Sequence, residues 1–202
     1  MTPRSKNAGR VRIIAGRWRG SRLDVPNVAG LRPSSDRVRE TLFNWLQGDI
    51  AGACCLDLFA GSGALGLEAA SRGAARVTMI ERDPAALATL EASKVRLRGE
   101  HVDVVAADAL AWLARVPDRT FDVVFVDPPF AAGLHQKALD ALGPWLAPGA
   151  QVYVETTRDA AMPILAGFAP HREGVTRDVR FALLRRCGGD APATLVLPPG
   201  AD

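Results

Sequence analysis

The sequence of 202 residues predicts an α/β fold: a doubly wound, mostly parallel sheet of seven strands with a small basic N-terminal extension. Two observations predict it. Along residues 49–187, short apolar stretches typical of strands buried on both faces alternate with amphipathic helical patterns. This alternation indicates parallel strands joined by crossover helices. Residues 1–48 instead combine a strongly basic composition with one helical pattern.

The expected elements follow in order along the chain. A strand and turn are expected within residues 12–20, followed by a capped helix that starts at about residues 33–36 and ends near Gly48. The expected strands cover residues 54–59, 76–81, 102–106, 121–126, 151–155, 168–175 and 180–186. The expected helices cover residues 64–71, 84–97, 109–115 and 134–142. Residues 188–202 are rich in Gly, Pro and Ala and are expected to form a flexible tail.

Charge is unevenly distributed. Residues 1–48 contain ten Lys or Arg and three acids, whereas the other residues contain 15 bases and 19 acids. This asymmetry predicts a polyanionic partner for the N-terminal part, although a solubilising tail would have the same composition. The bases within residues 12–20 alternate with β-branched and aromatic residues, which favours an ordered segment. The candidate contacts to this polyanion are Arg17, Trp18, Arg19, Arg32, Arg37 and Arg39.

Several classes of protein are disfavoured by the composition. The chain has no apolar stretch of about 18 residues, the minimum for a membrane-spanning helix, and its basic start lacks the apolar region of a secretory signal. We therefore expect a cytoplasmic protein. The three cysteines and three histidines are scattered without metal-ligand or disulfide spacing, so no metal site is expected.

A glycine-rich loop follows the first buried strand. The segment DLFAGSGALG at residues 57–66 contains Gly61-x-Gly63-x-x-Gly66, and Glu81 ends the next strand twenty residues after Gly61. Glycines in such a loop allow close approach to a ligand, and the carboxylate can accept hydrogen bonds from ribose hydroxyls. The pattern predicts a nucleotide-like cofactor and by itself also fits a nicotinamide dinucleotide. The candidate cofactor residues are Asp57, Phe59, Gly61, Ser62, Gly63, Glu81, Arg82, Asp108 and Ala109.

Two aspartates favour S-adenosylmethionine over a dinucleotide. Asp57 precedes the glycines, where a carboxylate can meet the amino-acid moiety of the cofactor. Asp108 follows the third strand, where it can reach an adenine amino group or cap the following helix. A nicotinamide enzyme would also need a catalytic Tyr or His, but the only tyrosine, Tyr153, lies in the middle of an expected strand.

The loop after the fourth strand carries the candidate catalytic residues Asp127, Pro128, Pro129 and Phe130. The lone pair of a base amino group is delocalised into the ring, so a methyltransferase needs acceptors that orient the amine. The Asp127 carboxylate and the Pro128 carbonyl can both accept N–H groups, while the two prolines stiffen the loop. Phe130 offers a face for stacking on a flipped base, worth about 1–3 kcal/mol by analogy with single-strand binding.

Together these motifs resemble the class I amino-methyltransferases that act on nucleic-acid bases. A narrower resemblance, to the bacterial 16S rRNA guanine-N2 methyltransferase D family, extends over nearly the whole chain. It rests on RIIAGRWRG at residues 12–20, LRP at 31–33, DRVRETLFNWL at 36–46 and residues 59–68. Related families often have Asn at the place of Asp127, whereas Asp is expected in this family.

The resemblance implies a Rossmann-like class I methyltransferase sheet with an antiparallel last strand. It also implies S-adenosylmethionine-dependent N2-methylation of one guanine in 16S rRNA, within the small subunit or its assembly intermediate. In this scheme residues 57, 61, 63, 81 and 108 hold the cofactor, and residues 127–130 hold the guanine. A monomer is our default expectation.

Three alternatives remain open from the residues alone. The first is an amino-methyltransferase for adenine N6, cytosine N4 or a protein glutamine. The basic N-terminal part disfavours a protein acceptor, and the chain length leaves little room for a DNA-recognition domain. The second is a small nicotinamide-dependent oxidoreductase. The third is a non-catalytic RNA-binding assembly factor. The choice of guanine rests on the resemblance, because composition does not distinguish among the bases.

Overall fold

The computed structural model describes residues 9–26, 28 and 34–187. Two short strands form an antiparallel hairpin: β1 (Arg10–Arg12) and β2 (Arg22–Asp24). The main sheet consists of β3 (Cys54–Asp57), β4 (Arg76–Glu81), β5 (Val102–Ala106), β6 (Phe121–Val126), β7 (Leu146–Thr157), β8 (Phe168–Val175) and β9 (Val179–Arg186). The α-helices are α1 (Asp36–Trp45), α2 (Gly66–Ser71), α3 (Pro84–Leu97), α4 (Ala109–Leu113) and α5 (His135–Leu142).

The main sheet has the strand order β5-β4-β3-β6-β7-β9-β8. Neighbouring strands from β5 through β7 are parallel, and β9 is antiparallel to both β7 and β8. This order and these directions confirm the predicted fold class, a Rossmann-like class I methyltransferase sheet with an antiparallel last strand.

The expected bounds of α3, β4, β5, β6 and β8 agree with the structure. The largest difference is in β7, which was expected over residues 151–155 and covers Leu146–Thr157. Its first half contains Pro148 and Gly149, and its register with β6 shifts between Phe121 and Val123, so the strand is irregular where the sequence pattern is lost. The first strand ends at Asp57 rather than residue 59, because the chain then turns and Ala60 N–H donates to the Ile80 carbonyl.

Helices cover both faces of the sheet. Buried apolar residues of α1, α2 and α3, such as Leu42, Leu67 and Leu90, belong to one apolar cluster, and those of α4 and α5 belong to another on the opposite face. The first cluster includes the contact between the rings of Phe43 and Phe125, whose centroids are 5.9 Å apart. In the second, the rings of Trp112 and Trp145 stack at 4.0 Å.

The N-terminal hairpin packs on the same face as α2. Val11, Ile13 and Leu23 are buried in the first apolar cluster. The carboxylate of Glu68 in α2 accepts hydrogen bonds from the backbone N–H of Ile14 at 2.7 Å and of Ala15 at 3.0 Å. The described part of the predicted extension, residues 1–48, therefore shares a core with residues 49–187. The predicted C-terminal tail, residues 188–202, lies outside the described residues.

Among the residues that the structure describes, no helix has the length and apolar character needed to cross a membrane.

Candidate active site

A cleft of about 140 Å³ opens at the carboxyl ends of the parallel strands. The strand order reverses between β3 and β6, because the chain proceeds from β3 towards one edge of the sheet and then returns to form β6 on the other side. Ligands bind at this switch point in open α/β sheets. Of the predicted cofactor and catalytic residues, those that line the cleft are Asp57, Phe59, Gly61, Ser62, Glu81, Arg82, Asp108, Ala109, Asp127, Pro128, Pro129 and Phe130.

Gly63 is the predicted cofactor residue that does not line the cleft. Its φ of +76° places it in the left-handed region, and a Cβ there would lie 2.7 Å from Cδ2 of Leu90. Gly63 therefore allows the chain to turn and pack against α3. The structure supports a role for Gly63 in shaping the loop rather than in ligand contact.

Asp57 lies at the floor of the cleft and is only 2% exposed. Its Oδ2 atom accepts a hydrogen bond from the Gly66 N–H at 2.9 Å, which ties the end of β3 to the start of α2. Burial raises the pKa of Asp57 from 3.8 to about 7, and the nearby charge of Glu81 adds to this increase, while backbone hydrogen bonds oppose it. A cationic ligand group beside Asp57 would favour the carboxylate form.

Glu81 holds the glycine-rich loop as well as facing the cleft. Its Oε2 atom accepts from the Gly61 N–H at 2.8 Å, and its Oε1 atom accepts from the N–H groups of Arg82 and Asp83, both at 2.8 Å. Each carboxylate oxygen has more than one acceptor position. Glu81 can therefore also accept from the hydroxyls of a bound ribose.

Asp108 was predicted either to contact an adenine amino group or to cap the following helix, and in the structure it is the N-cap of α4. Its Oδ1 atom accepts from the N–H groups of Leu110 and Ala111, at 3.0 and 3.1 Å. Its other oxygen, Oδ2, lies 3.3 Å from Nη1 of Arg82. Ala109 follows as the first residue of the helix and is buried against the cleft wall. The adenine contact of Asp108 stays a prediction.

The Asp127–Phe130 loop closes the cleft on the β6 side. The Oγ–H of Ser34 donates to Oδ2 of Asp127 at 2.9 Å. Burial raises the pKa of Asp127 well above its usual range, the charges of Glu155 and Asp57 raise it further, and the Ser34 hydrogen bond opposes them. Pro128 is buried, whereas Phe130 is 38% exposed and stacks on the ring of His135 with centroids 6.4 Å apart.

Three polar residues close to Asp127 were not among the candidate site residues from the sequence: Ser34, Tyr153 and Glu155. Ser34 was expected only as part of a helix start, but the cap of α1 is Ser35, and Ser34 instead faces the cleft. Glu155 and Tyr153 were expected in a strand without a site role, yet the Tyr153 hydroxyl donates to Oε2 of Glu155 at 2.6 Å. Their position in the sequence could have indicated a site, because Tyr153 and Glu155 are two polar residues two positions apart near the carboxyl end of a buried strand.

Two of the predicted RNA contacts are wrong. Arg39 is fully buried: its Nη2 atom donates to Oδ1 of Asp36 at 2.7 Å and to the Arg12 carbonyl at 2.9 Å. Trp18 is 7% exposed and stacks on His101 with ring centroids 5.7 Å apart. Both side chains hold the extension in place and are inaccessible to RNA. Arg32 lies outside the described residues.

Arg17, Arg19 and Arg37 are exposed, but they lie at two different places. Arg37 is in the first turn of α1, close to Ser34 and the cleft. Arg17 and Arg19 flank Trp18 in the hairpin turn. The N–H of Arg17 donates to the carbonyl of Ser71, which ends α2, and Trp18 contacts the segment just before β5. The turn therefore lies at the amino edge of the sheet, about 20 Å from the cleft for a strand of six residues.

The described residues contain no group of three or more His, Cys, Asp or Glu side chains arranged to hold a metal ion. The polar groups of the cleft are instead carboxylates at the ends of successive strands: Asp57, Glu81 and Asp108. This set fits a ligand that carries an ammonium group, ribose hydroxyls and an adenine amino group, as S-adenosylmethionine does. Asp127 faces the cleft beyond them.

The chain is similar to known methyltransferases over most of its length. A family model described as "Conserved hypothetical protein 95" matches residues 11–185. The ribosomal RNA small subunit methyltransferase D of Escherichia coli (strain K12) is 46% identical over 187 residues, with coverage of 91% of this chain and 94% of the relative. The protein of the same name from Haemophilus influenzae is 43% identical, with coverage of 90% and 96%.

A solved structure supports the same relationship. The solved structure of "Putative methyltransferase yhhF from Escherichia coli" has a TM-score of 0.82 and 45% sequence identity, with coverage of 88% of this chain and 98% of that one. The family model, the sequence relatives and this structure agree with the resemblance found in the sequence. The chain therefore belongs to the family of the ribosomal RNA small subunit methyltransferases D.

Proposed function

We propose that this protein transfers a methyl group from S-adenosylmethionine to the exocyclic N2 amino group of one guanine in 16S rRNA, within the small ribosomal subunit or its assembly intermediate. One observation supports the proposal above all: Asp127–Phe130 lies at the switch point of the sheet, in the same cleft as Asp57 and Glu81. The carboxylates proposed to bind the cofactor therefore lie next to the loop proposed to orient the amine of the base. We propose that the protein acts as a monomer, as expected from the sequence.

The cofactor would be held by the strand ends. Asp57 would accept the ammonium group of its amino-acid moiety, Glu81 the ribose hydroxyls, and Asp108 the adenine amino group. Phe59, Ser62, Arg82 and Ala109 would form the walls. When bound, S-adenosylmethionine supplies an electrophilic methyl group on a sulfonium, so the protein itself needs no nucleophile.

The guanine would be held by the loop after β6. Phe130, which is partly exposed, provides a stacking surface for a base turned out of its RNA strand. Oδ1 of Asp127 and the carbonyl of Pro128 would accept the two N–H bonds of the amine, while Oδ2 of Asp127 is held by Ser34. Two acceptors on one amine fix its lone pair towards the methyl group. The selection of guanine and of N2 derives from the family resemblance.

The RNA would contact the protein at two places. Arg37 stands beside the cleft and would meet the phosphates that flank the target nucleotide. Arg17 and Arg19 would contact a different RNA segment at the amino edge of the sheet. Further exposed arginines lie near them: Arg96 donates from Nη2 to the Arg22 carbonyl at 2.6 Å, and Arg98 is the C-cap residue that follows α3. Two contact regions so far apart suit a folded RNA with large dimensions.

The test is a methylation assay with radiolabelled S-adenosylmethionine and small subunits from a strain that lacks its own enzyme. The rRNA is then digested and its nucleosides are separated. Label in 2-methylguanosine is the expected result. The Asp127→Ala variant serves as a control: it should bind the cofactor with nearly unchanged affinity and transfer no methyl group.

Other outcomes would change the proposal in defined ways. Label in another nucleoside, such as N6-methyladenosine, would retain the reaction and replace the base. A lack of label from a protein that binds the cofactor would favour a different acceptor. Binding to the small subunit without any transfer would favour the assembly-factor alternative.

A further inference from the structure

A second carboxyl group lies behind Asp127. In the parallel pairing of β6 with β7, Val126 is opposite Val154. The next residues along the two strands are Asp127 and Glu155, which therefore lie side by side. Because side chains alternate along a strand, both point towards the α1 face of the sheet. Glu155 is only 4% exposed, whereas Asp127 is partly exposed and faces the cleft, so Glu155 lies on the core side of the pair.

Hydrogen bonds hold both carboxyl groups in place. The Tyr153 hydroxyl donates to Oε2 of Glu155 at 2.6 Å, and the Ser34 hydroxyl donates to Oδ2 of Asp127 at 2.9 Å. Tyr153 is itself fixed between the rings of Phe125 and Phe181, with centroid distances of 6.4 and 6.3 Å. The two carboxyl groups and their two hydroxyl donors form a network whose members come from β6, β7 and the segment before α1.

We propose that Glu155 is a positioning residue for the amine: acting on Asp127 from the adjacent strand, its carboxyl group makes Asp127 the site that takes the proton released by the methylated nitrogen. This inference rests on the proposed function. Glu155 acts through Asp127, and Tyr153 holds Glu155 in the orientation this requires.

The chemistry creates a need for such a base. When the new N–C bond forms, the electron pair of the broken C–S bond stays on sulfur, which becomes neutral, and the nitrogen becomes positive. One N–H bond must then break, with its electrons left on nitrogen and its proton transferred to the Asp127 carboxylate. Asp127 returns that proton to solvent after the product leaves. A carboxylate of ordinary acidity would hold the proton weakly, whereas a buried carboxylate beside a second one holds it more strongly.

The surroundings of the pair agree with this role. Burial raises the pKa of Asp127, and the charge of Glu155 is the next largest cause of the increase. Burial also raises the pKa of Glu155, while hydrogen bonds from Tyr153 and Ser34 lower it. The other titratable groups that face the pair are Asp57, whose charge raises the pKa of Asp127, and His135, whose ring lies 2.7 Å from the Glu155 carbonyl.

The inference can be tested with three conservative variants of the full chain. Glu155→Gln removes the charge but keeps the shape, and Tyr153→Phe removes only the hydroxyl. Glu173→Gln, on the exposed strand β8, removes a charge of the same sign; Glu173 is level with Val154, so its side chain lies on the face of the sheet opposite to Glu155, and it serves as the matched control. For each variant we would measure the pH profile of kcat/KM for methyl transfer and the affinity for S-adenosylmethionine. The titration of 13C-labelled Asp and Glu carboxyl groups would be followed by NMR.

In Glu155→Gln, the Asp127 carboxyl signal and the acid limb of the kcat/KM profile should both move to lower pH, while cofactor affinity stays unchanged. In Tyr153→Phe, the Glu155 signal should move to higher pH, and Glu173→Gln should match the wild type. The inference is overturned if Asp127 in Glu155→Gln titrates at the wild-type pH. A wild-type enzyme that methylates no rRNA would overturn the proposed function instead. The NMR titrations would still decide whether Glu155 controls Asp127.

Discussion

Arg39 and Glu68 face each other in the protein core: Nη1 of Arg39 lies 3.6 Å from Oε2 of Glu68, and neither side chain is exposed. Glu68 also accepts from Nε of Arg72 at 2.7 Å and from the backbone N–H groups of the hairpin. Arg39 donates to the carbonyl of Arg12. This pair therefore links α1, α2 and the N-terminal hairpin. A buried ion pair of this kind is costly to break because it leaves an uncompensated charge.

The first prediction concerns the stability of this link. Arg39→Ala should lower the free energy of unfolding by about 3–5 kcal/mol, because it removes one of the two guanidinium partners of the buried Glu68 carboxylate and empties a fully buried site. Arg37→Ala, two residues earlier and exposed, should leave stability within about 0.5 kcal/mol of the wild type. Both are measured by denaturant unfolding. An Arg39→Ala protein that is as stable as the wild type but binds RNA poorly would restore Arg39 as an RNA contact.

There is a physical reason why several strands could be predicted from the sequence but the burial of Arg39 could not. Strands such as β6 have a local signature, since a strand buried on both faces needs a largely apolar sequence. Arg39 follows Val38 on an amphipathic helix, and an arginine on such a surface helix is normally exposed. Its burial depends on Glu68, which lies 29 residues later in the sequence. Local periodicity contains no information about such a partner.

The candidate site was predictable to a similar extent. Asp57 and Glu81 lie at the carboxyl ends of their strands and Asp127 directly follows β6, so their shared position at one edge of the sheet could be inferred from the strand pattern alone. The bond between Ser34 and Asp127 joins residues 93 positions apart. That contact requires knowing that α1 begins beside β6, which is a property of the assembled fold.

The second prediction concerns the turn of the hairpin, residues 16–20. Gly16 and Gly20 both have positive φ, +82° and +84°. A Cβ at Gly16 would lie 1.9 Å from the backbone carbonyl oxygen of Ser71, whereas a Cβ at Gly20 has nothing within 4 Å. Gly20→Ala should therefore cost only the conformational penalty, about 1–2 kcal/mol. Gly16→Ala should cost more, because the turn must move away from α2.

Thermal unfolding and limited proteolysis of the two variants would check this prediction. Gly16→Ala should have the lower Tm and should be cleaved faster within the hairpin. Equal behaviour of the two alanine variants would mean that the turn does not depend on its contact with Ser71.

The third prediction concerns the arginines of the same turn. Replacement of Arg17 and Arg19 together by Gln should weaken binding to small subunits and reduce the slope of log Kd against log salt by about 0.7 for each phosphate that the protein no longer neutralises. The matched control replaces Arg172 and Arg177, which are exposed near β8 and β9, by Gln. Binding is measured at a series of salt concentrations. If the control pair changes the slope as much as the Arg17 and Arg19 pair, RNA binding is not localised at the turn.

The last prediction follows from the raised pKa of Asp57, about 7 in the folded protein against 3.8 as its ordinary value. Between these two pH values the folded state keeps a proton that the unfolded state has lost. The free energy of unfolding of the ligand-free protein should therefore fall as pH rises from about 4 to about 7, and this contribution should level off above 7.

Cofactor affinity should show the opposite trend, because the ammonium group of S-adenosylmethionine binds the carboxylate form of Asp57. Below pH 7 each bound molecule must displace one proton, so the Kd should fall about tenfold for each pH unit as pH rises to about 7. Near pH 8 the ligand's own α-amino group begins to lose its proton, and binding should weaken again.

Calorimetry in buffers of different ionisation enthalpy would count the protons released when S-adenosylmethionine binds. Asp57→Asn should bind more weakly and with no proton release below pH 7. If the wild-type Kd is instead constant between about pH 5.5 and about pH 7, the ammonium group does not bind next to Asp57.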